Sequence, residues 1–215
     1  MVAGVDEAGR GPLAGPLVVA AVILPRRWRP RVLIDDSKRL TPAQRETAYG
    51  AVRRGALGWR VVVISPQEVD RVNILNATLQ GMALALARIK PAPDFALVDG
   101  NRLPDLQVPA QALVKGDARS RTVAAASILA KVVRDRLMAV YGARFPQWGF
   151  ERHKGYPTLE HRYALAAHGP SPIHRRTFCA KALSESEHKR IESRWPTGKR
   201  LERGANRPPL NISSG

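Results

Sequence analysis

The chain has 215 residues, of which 44% are hydrophobic and 25% are charged, a composition typical of a globular domain with one sizeable core. Its net charge of +17 attracts polyanions, so the composition favours nucleic acid as the partner, with an anionic membrane as the alternative. The longest apolar stretch, residues 13–25, is broken by Gly15 and Pro16 and is too short for the roughly 20 residues of a membrane span. The single cysteine, Cys179, excludes an internal disulfide and fits a cytoplasmic protein, in which we expect it to be a half-buried apolar residue.

Apolar runs and turn residues predict the elements in chain order. Residues 2–8 and 17–24 predict two strands that form a hairpin, and residues 43–54 predict a helix that Thr41 caps and Pro42 begins. A strand, a helix, two further strands and a long helix follow. Their predicted ranges are residues 59–65, 69–89, 95–98, 109–114 and 119–138. This order predicts a mixed α/β sheet.

The apolar pattern weakens after Pro172. Residues 184–194 predict one polar helix, and the glycine, proline, serine and basic residues from 195 onward predict a disordered tail. We therefore expect one domain over residues 1–180 and a basic, flexible segment over residues 181–215.

Four acidic residues stand where an α/β sheet collects functional groups. Asp6, Glu7 and Asp99 lie at predicted strand ends, and Asp117 comes just before the long helix. Each also has a structural alternative, as a solvated strand end, a turn or a helix cap. If the four converge, two unit charges about 4 Å apart repel by roughly 4 kcal/mol at an effective dielectric constant near 20, so the cluster needs cations. Oxygen ligands without paired histidine or cysteine indicate Mg²⁺ or Mn²⁺, and in a basic protein they indicate phosphodiester hydrolysis.

The neighbouring positions of Asp6 and Glu7 create a geometric difficulty. Successive side chains of a regular strand point to opposite faces, so both carboxylates can reach one site only if the strand deforms. Gly9 and Gly11 follow at once and tolerate unusual backbone angles. We therefore expect an irregular strand end at this point.

Several segments in order along residues 2–180 resemble bacterial ribonuclease HII: VAGVDEAGRGPLAGP, DDSKRLT, NILNATLQGM, LVDGNR, KGDARSRTVAAASILAKVVRDRLM, FPQWGFERHKGYPT and HRRTF. The resemblance implies an RNase H-like fold, a mixed five-stranded sheet flanked by helices with a C-terminal helical extension. It implies that Asp6, Glu7, Asp99 and Asp117 are catalytic and hold Mn²⁺ or Mg²⁺, with two ions in the substrate complex. The substrates it implies are RNA/DNA hybrids and single ribonucleotides in duplex DNA, cut to leave 3′-hydroxyl and 5′-phosphate ends by an enzyme that we expect to be monomeric.

The resemblance also implies residues that contact the substrate. Gly9, Arg10 and Gly11 match the segment that contacts the ribose at an RNA-to-DNA junction, where the 2′-hydroxyl distinguishes RNA from DNA. Tyr156 matches a tyrosine that packs on the following deoxyribose. Lys38, in Asp36-Ser37-Lys38, offers a cation for a backbone phosphate beside the Ser37 hydroxyl. The structural alternatives are a strained turn, a core tyrosine and a surface lysine.

Other polar residues give weaker predictions. Asn73 is expected to cap a helix. The histidines have no paired metal-ligand spacing, so we expect them at the surface or facing phosphates; they are His153, His161, His168, His174 and His188. The run from His174 to Arg176 is expected to support nucleic-acid binding, with a solvated basic turn as the alternative.

Two other function classes remain open at this stage. A binding module that has lost catalysis could share the fold, although the four acidic positions argue against it. A strand-transfer or junction-resolving nuclease is a further alternative, because fold alone does not fix function. The segments Gly9-Arg10-Gly11 and HKGYP favour the hybrid-cutting enzyme over this last class.

Overall fold

Five strands form one mixed sheet in the computed structural model, which describes residues 1–182. The sheet has the order β3-β2-β1-β4-β5. Strands β3, β2 and β1 pair antiparallel, whereas β4 pairs parallel with β1 and β5 pairs parallel with β4. The strands are β1 Val2–Ala8, β2 Leu17–Ile23, β3 Gly58–Ile64, β4 Phe95–Asp99 and β5 Ala110–Leu113. The hairpin of the first two strands and the mixed sheet are therefore confirmed.

Strand β2 lies at the centre of the core, and all seven of its residues are buried. Its alternating residues belong to two clusters on opposite faces of the sheet, because successive side chains of a strand point in opposite directions. Val19 and Ile23 pack in the cluster that contains helix α3, Ile74–Arg88, whereas Val18 and Val22 pack towards helix α5, Arg121–Arg144. A continuous apolar strand is the pattern expected for a strand covered on both faces.

Helix α5 lies directly against β1, the strand that begins the chain. A Cβ atom on Gly4 would come within 2.3 Å of the Thr122 carbonyl carbon, so only glycine permits this approach. Helix α1, Pro42–Gly55, packs beside α5 through Ala48 and Val52. Thr41 caps α1 as predicted: its hydroxyl accepts from the Gln44 N–H, and the Gln44 side chain accepts from the Thr41 N–H.

Two predicted helices differ from the observed ones. The predicted helix over residues 69–89 is two helices, α2 Pro66–Val72 and α3, because Asn73 between them has φ of 66° and caps α3 through its side chain. The long helix begins later and ends later than predicted, and a separate turn of helix, α4 Gly116–Arg119, precedes it. The apolar periodicity lies within α3 and α5 and does not mark where each helix begins, so it did not find the two breaks.

Short helices complete the described chain after α5. They are α6 Phe150–His153, α7 Leu159–His168 and α8 Arg176–Ala182, with a 3₁₀ turn at Pro146–Trp148. Cys179 of α8 is buried more deeply than predicted, and burial raises the pKa of its thiol to about 11. The predicted helix at residues 184–194 and the predicted tail lie outside the described residues. Within residues 1–182, no helix combines the length and the apolar character needed to span a membrane.

Candidate active site

Three of the predicted carboxylates meet at the ends of two adjacent parallel strands. Asp6 and Glu7 lie near the end of β1, and Asp99 is the last residue of β4, which pairs with β1. One carboxylate oxygen from each residue lies within 4.8 Å of those from the other two. We call these three residues the acidic cluster. Three of the four acidic residues therefore converge, as a cation site requires.

The prediction that the strand deforms at Asp6 and Glu7 is wrong. The pairing of β1 with β2 continues without a bulge to Ala8, which stands opposite Val18. Carboxylate oxygens of Asp6 and Glu7 nevertheless lie within 4.8 Å of one another, and the Asp6 carboxylate accepts a 2.6 Å hydrogen bond from the Glu7 N–H. The chain becomes irregular only at Gly9, whose φ is 101°.

Asp117 lies beside the acidic cluster in α4 and has a cation next to it. The Lys38 ammonium nitrogen is 3.5 Å from an Asp117 carboxylate oxygen, and the Lys38 side chain is 78% exposed. Partial burial opposes the charge of Lys38, but Asp36, Asp117 and Asp6 together raise its pKa, so Lys38 is positively charged. Ser37 does not accompany Lys38 at the surface, contrary to the prediction, because its buried hydroxyl accepts from the Ser127 hydroxyl at 2.7 Å.

The electrostatics of the acidic cluster disfavour three unpaired negative charges. Burial raises the pKa of Asp6, and the charges of Glu7 and Asp99 raise it further. Burial also raises the pKa of Glu7, although Arg10, whose guanidinium is 3.6 Å from the Glu7 carboxylate, opposes this shift. Burial is again the main cause that raises the pKa of Asp117. Crowded carboxylate oxygens without a nitrogen or sulfur ligand fit a hard divalent cation such as Mg²⁺ or Mn²⁺.

The turn that contains Gly9, Arg10 and Gly11 is held from inside by a buried arginine. Arg175 has no exposed surface, and its guanidinium donates to the carbonyls of Gly9 and Arg10 at 2.6 and 3.0 Å, as well as to the Gly15 carbonyl. In a trans peptide the N–H points opposite to the carbonyl. The N–H groups of Arg10 and Gly11 therefore point away from Arg175.

A second buried arginine, Arg134 of α5, supports the same turn. Its guanidinium donates to the carbonyls of Pro16, Ala14 and Lys154. A Cβ atom on Gly9 would lie 2.1 Å from the Arg134 Nε, so Gly9 is required by close approach as well as by its positive φ.

Tyr156 lies next to this turn. A Cβ atom placed on Gly11 would be 3.9 Å from the Tyr156 Cε1, which is ordinary van der Waals contact. The Tyr156 residue is 42% exposed, and the Arg134 guanidinium carbon lies 5.8 Å from its ring centroid. The core-tyrosine alternative is therefore wrong.

The predicted surface positions of several basic residues are also wrong. His153, His161 and His174 are buried, and so is Arg175, which follows His174 in the sequence. The run from His174 to Arg176 therefore exposes only Arg176. His168 is exposed as predicted, and His188 lies outside the described residues.

With this geometry established, comparison with known proteins decides the family. The family model described as Ribonuclease HII matches residues 3–181. The chain belongs to the ribonuclease HII family. It is 52% identical to Ribonuclease HII of Dechloromonas aromatica over 83% of this chain and 90% of that one, and 48% identical to Ribonuclease HII of Chlorobium phaeobacteroides over 86% and 93%. The crystal structure of ribonuclease H2 from Pyrococcus horikoshii is 30% identical, covers 90% of this chain and 97% of its own, and superposes with a TM-score of 0.69.

Membership of the ribonuclease HII family makes this chain an endoribonuclease H, an enzyme that acts on RNA paired with DNA. The predicted RNase H-like fold is confirmed as well. The family assignment decides against a strand-transfer nuclease and against a module that only binds.

Sequence reasoning missed the two buried arginines of this ribonuclease. A signal for Arg134 was available, because it lies four residues from both Ala130 and Met138, which are buried residues of the same helix. Arg175 gave no such signal, since a basic residue between two others is usually solvated. Only the tertiary structure brings it behind the Gly9 turn.

Proposed function

We propose that this enzyme cuts on the 5′ side of a ribonucleotide, in long hybrids and at single ribonucleotides in duplex DNA, and leaves 3′-hydroxyl and 5′-phosphate ends. The proximity of the Tyr156 ring to Gly11 beside the acidic cluster is the observation that carries this proposal. It brings a group suited to pack on a sugar next to backbone groups suited to bind a hydroxyl. A site that contacts both the ribose and the following deoxyribose at an RNA-to-DNA junction needs these two parts side by side.

The carboxylates have the role of metal ligands in this proposal. Asp6, Glu7, Asp99 and Asp117 hold two Mn²⁺ or Mg²⁺ ions in the substrate complex. When bound, such ions activate the attacking water and stabilise the leaving oxygen. The burial of Asp6 and the 2.6 Å hydrogen bond from the Gly116 N–H to Asp99 keep these two carboxylates oriented before an ion arrives.

The substrate is recognised by groups on both sides of the acidic cluster. The N–H groups of Arg10 and Gly11 bind the 2′-hydroxyl of the ribonucleotide, because Arg175 turns the two preceding carbonyls inward. The exposed Tyr156 ring packs on the following deoxyribose. Lys38, a charged and largely exposed side chain, contacts a backbone phosphate.

The rest of the proposal concerns the organisation of the molecule. Residues 1–180 form the catalytic domain and residues 181–215 are an accessory tail that the chemistry does not require. The enzyme acts as a monomer in the cytoplasm. The strong positive charge of the whole chain supports binding to a nucleic-acid duplex.

Cleavage of three matched duplexes tests the proposal. One is all DNA, one contains a continuous RNA strand opposite DNA, and one contains a single ribonucleotide, each incubated with Mg²⁺ or Mn²⁺. We expect no cleavage of the first and cleavage of the other two on the 5′ side of a ribonucleotide. Mass spectrometry of the products identifies the ends, and a 2′,3′-cyclic phosphate in place of a 3′-hydroxyl contradicts the proposed hydrolysis.

A further inference from the structure

The three buried histidines form one connected group behind Tyr156. The rings of His153 and His161 stack with centroids 4.3 Å apart, and the Nε2 atoms of His161 and His174 are 3.0 Å apart. The Phe150 ring packs edge-on against His161 at 5.5 Å. None of the three is more than 8% exposed. We call these residues the histidine stack.

The hydrogen bonds of His161 and His174 determine which ring nitrogens carry protons. A carbonyl only accepts, so the His161 Nδ1 that lies 2.9 Å from the Tyr156 carbonyl oxygen must be protonated and donate to it. In the neutral ring, the His161 Nε2 then accepts from a protonated His174 Nε2. The His174 Nδ1 is consequently bare, which agrees with its acceptance of the Ser171 N–H at 2.8 Å and the Ser171 hydroxyl at 2.7 Å.

The neutral form of the stack also agrees with its surroundings. Burial lowers the pKa of His161 to about 4 and that of His174 to about 3, and it also lowers the pKa of His153. The rings are therefore uncharged at neutral pH. Every ring nitrogen of the stack has a hydrogen-bond partner, so the stack has one self-consistent arrangement of protons.

The stack holds the backbone on the inner side of Tyr156. The His153 Nε2 donates to the Trp148 carbonyl at 2.6 Å, and its Nδ1 accepts from the Gly155 N–H at 3.2 Å. His161 binds the carbonyl of the next residue, Tyr156. Two successive residues are thus fixed to the core, while the Tyr156 ring remains exposed beside Gly11.

The same stack is joined to the segment that follows Gly11. His174 pairs with Ala14 in an isolated antiparallel bridge. The Leu13 N–H donates to the Gly155 carbonyl at 2.9 Å, and the Leu13 carbonyl accepts from the Arg175 N–H at 2.8 Å. The bond between Leu13 and Gly155 joins the chain after Gly11 directly to the chain before Tyr156, and the other two contacts join the same segment to His174 and Arg175.

We propose that the histidine stack is a positioning element that sets the separation between the Tyr156 ring and the Gly9-Arg10-Gly11 turn, and thereby the preference for an RNA-to-DNA junction. This inference rests on the proposed contact of Tyr156 with deoxyribose. A stack that only filled space would stabilise the fold without selecting a substrate. The decisive bond is the one from the His161 Nδ1 to the Tyr156 carbonyl.

Two amide substitutions at one position separate these roles. His161→Asn places an N–H donor near the position of Nδ1 and retains the bond to the Tyr156 carbonyl, whereas His161→Gln places its amide near the position of Nε2 and loses that bond. We measure kcat and KM on the single-ribonucleotide duplex and on the long hybrid. We expect His161→Gln to lower the ratio of the two kcat/KM values by roughly five- to tenfold, within the range of an aromatic contact to nucleic acid, and His161→Asn to retain the ratio. Equal losses on both substrates, or an equal change of ratio in both variants, overturn the inference.

Tyr156→Ala distinguishes this inference from the proposed function. If Tyr156→Ala changes the substrate ratio but His161→Gln does not, only the positioning role is wrong. If Tyr156→Ala leaves the ratio unchanged, the proposed contact with deoxyribose is wrong and the positioning role fails with it. A double variant whose ratio equals that of Tyr156→Ala alone supports the inference, because the histidine then acts through the tyrosine.

The unaltered protein provides a test that does not depend on the folding of any variant. Long-range ¹H–¹⁵N correlation spectra of the imidazole rings at neutral pH report which nitrogen carries the proton. We expect the Nδ1–H form for His161 and the Nε2–H form for His153 and His174. An Nε2–H form at His161 leaves the Tyr156 carbonyl without its donor and overturns the inference.

Discussion

The acidic cluster and the two buried arginines occupy neighbouring parts of one molecule, yet their charges have different surroundings. Arg134 and Arg175 have no exposed surface, and their guanidinium groups donate to backbone carbonyls. The carboxylates of Asp6, Glu7 and Asp99 instead lie within 4.8 Å of one another. Each arginine is satisfied by the fold itself, whereas the carboxylates repel one another. The difference indicates that the arginines maintain a conformation and that the carboxylates await a ligand.

The two regions are also linked through the Gly9 turn. Two members of the acidic cluster, Asp6 and Glu7, lie on β1 just before this turn, and both arginines bind carbonyls within or after it. A buried charge bonded to carbonyls resists rearrangement, because each released carbonyl would be left without a partner in the core. The arginines can therefore keep the turn fixed while the acidic cluster gains or loses its cations.

Removing one carboxylate is expected to have the largest effect on activity. Asp99→Asn retains an oxygen for the Gly116 N–H but removes a charge from the acidic cluster. We expect kcat to fall by about a thousandfold, since a metal ion supplies several kcal/mol of transition-state stabilisation. Binding of a hybrid duplex, measured by fluorescence anisotropy, should stay close to that of the unaltered enzyme, and Asp6→Asn should behave in the same way.

The same substitution should stabilise the protein in the absence of metal. Relief of repulsion worth about 1 kcal/mol raises the melting midpoint by about 2–4 °C for a protein of this size. Asp105→Asn, a change at an exposed loop residue, is the matched control and should leave both activity and midpoint unaltered. Near-normal turnover by Asp99→Asn, or a clear drop in its metal-free midpoint, contradicts the assignment of the acidic cluster as a metal site.

Removing a buried arginine should cause the opposite change in stability. Arg175→Met leaves the Gly9, Arg10 and Gly15 carbonyls without their donor, which should lower the free energy of unfolding by about 3 kcal/mol. Activity on every hybrid substrate should fall with it, because the turn loses its anchor. Arg176→Met is the control, since Arg176 is the adjacent residue and is exposed. Chemical denaturation without metal measures the free energy of unfolding of both variants. Equal stability of the two variants means that Arg175 does not hold the turn.

The contrast between these regions explains what the sequence could predict. The carboxylates were found because strand ends can be read from apolar runs, and both Asp6 and Asp99 stand at such ends. Asp6 and Glu7 were expected to meet only if the strand deformed, but the strand is regular through both residues, which pair with Ala20 and Val19. Arg175 was misplaced because a basic residue gives no sign of burial when its partners are carbonyls from a distant segment. The buried histidines were misplaced because the sequence does not show that their ring nitrogens bond to one another and to nearby backbone groups. The mixed sheet, by contrast, followed from patterns within each element.

A smaller effect is expected from Lys38, the cation beside the acidic cluster. Lys38→Ala should weaken binding of all duplexes by a similar factor and reduce the slope of log affinity against log salt by about one, as for the loss of one phosphate contact. Lys90→Ala is the control, because Lys90 is an exposed lysine near Gly58, whose partner Ile23 lies at the other end of β2 from the active site. An unchanged salt slope in Lys38→Ala indicates that Lys38 acts on Asp117 and not on a phosphate.

The smallest effect is expected from removing the C-terminal residues, which contain neither the acidic cluster nor the buried arginines. Residues 182–215 contain seven lysines and arginines against four acidic residues, a small part of the net charge of +17. A chain that ends at residue 183 retains both the acidic cluster and the buried arginines, so its cleavage positions and its ratio of kcat/KM between single-ribonucleotide and long-hybrid duplexes should equal those of the full chain. The affinity for duplex at low salt should fall slightly, because fewer positive charges attract the polyanion. A changed substrate ratio in the shortened chain would mean that the tail takes part in recognising the junction.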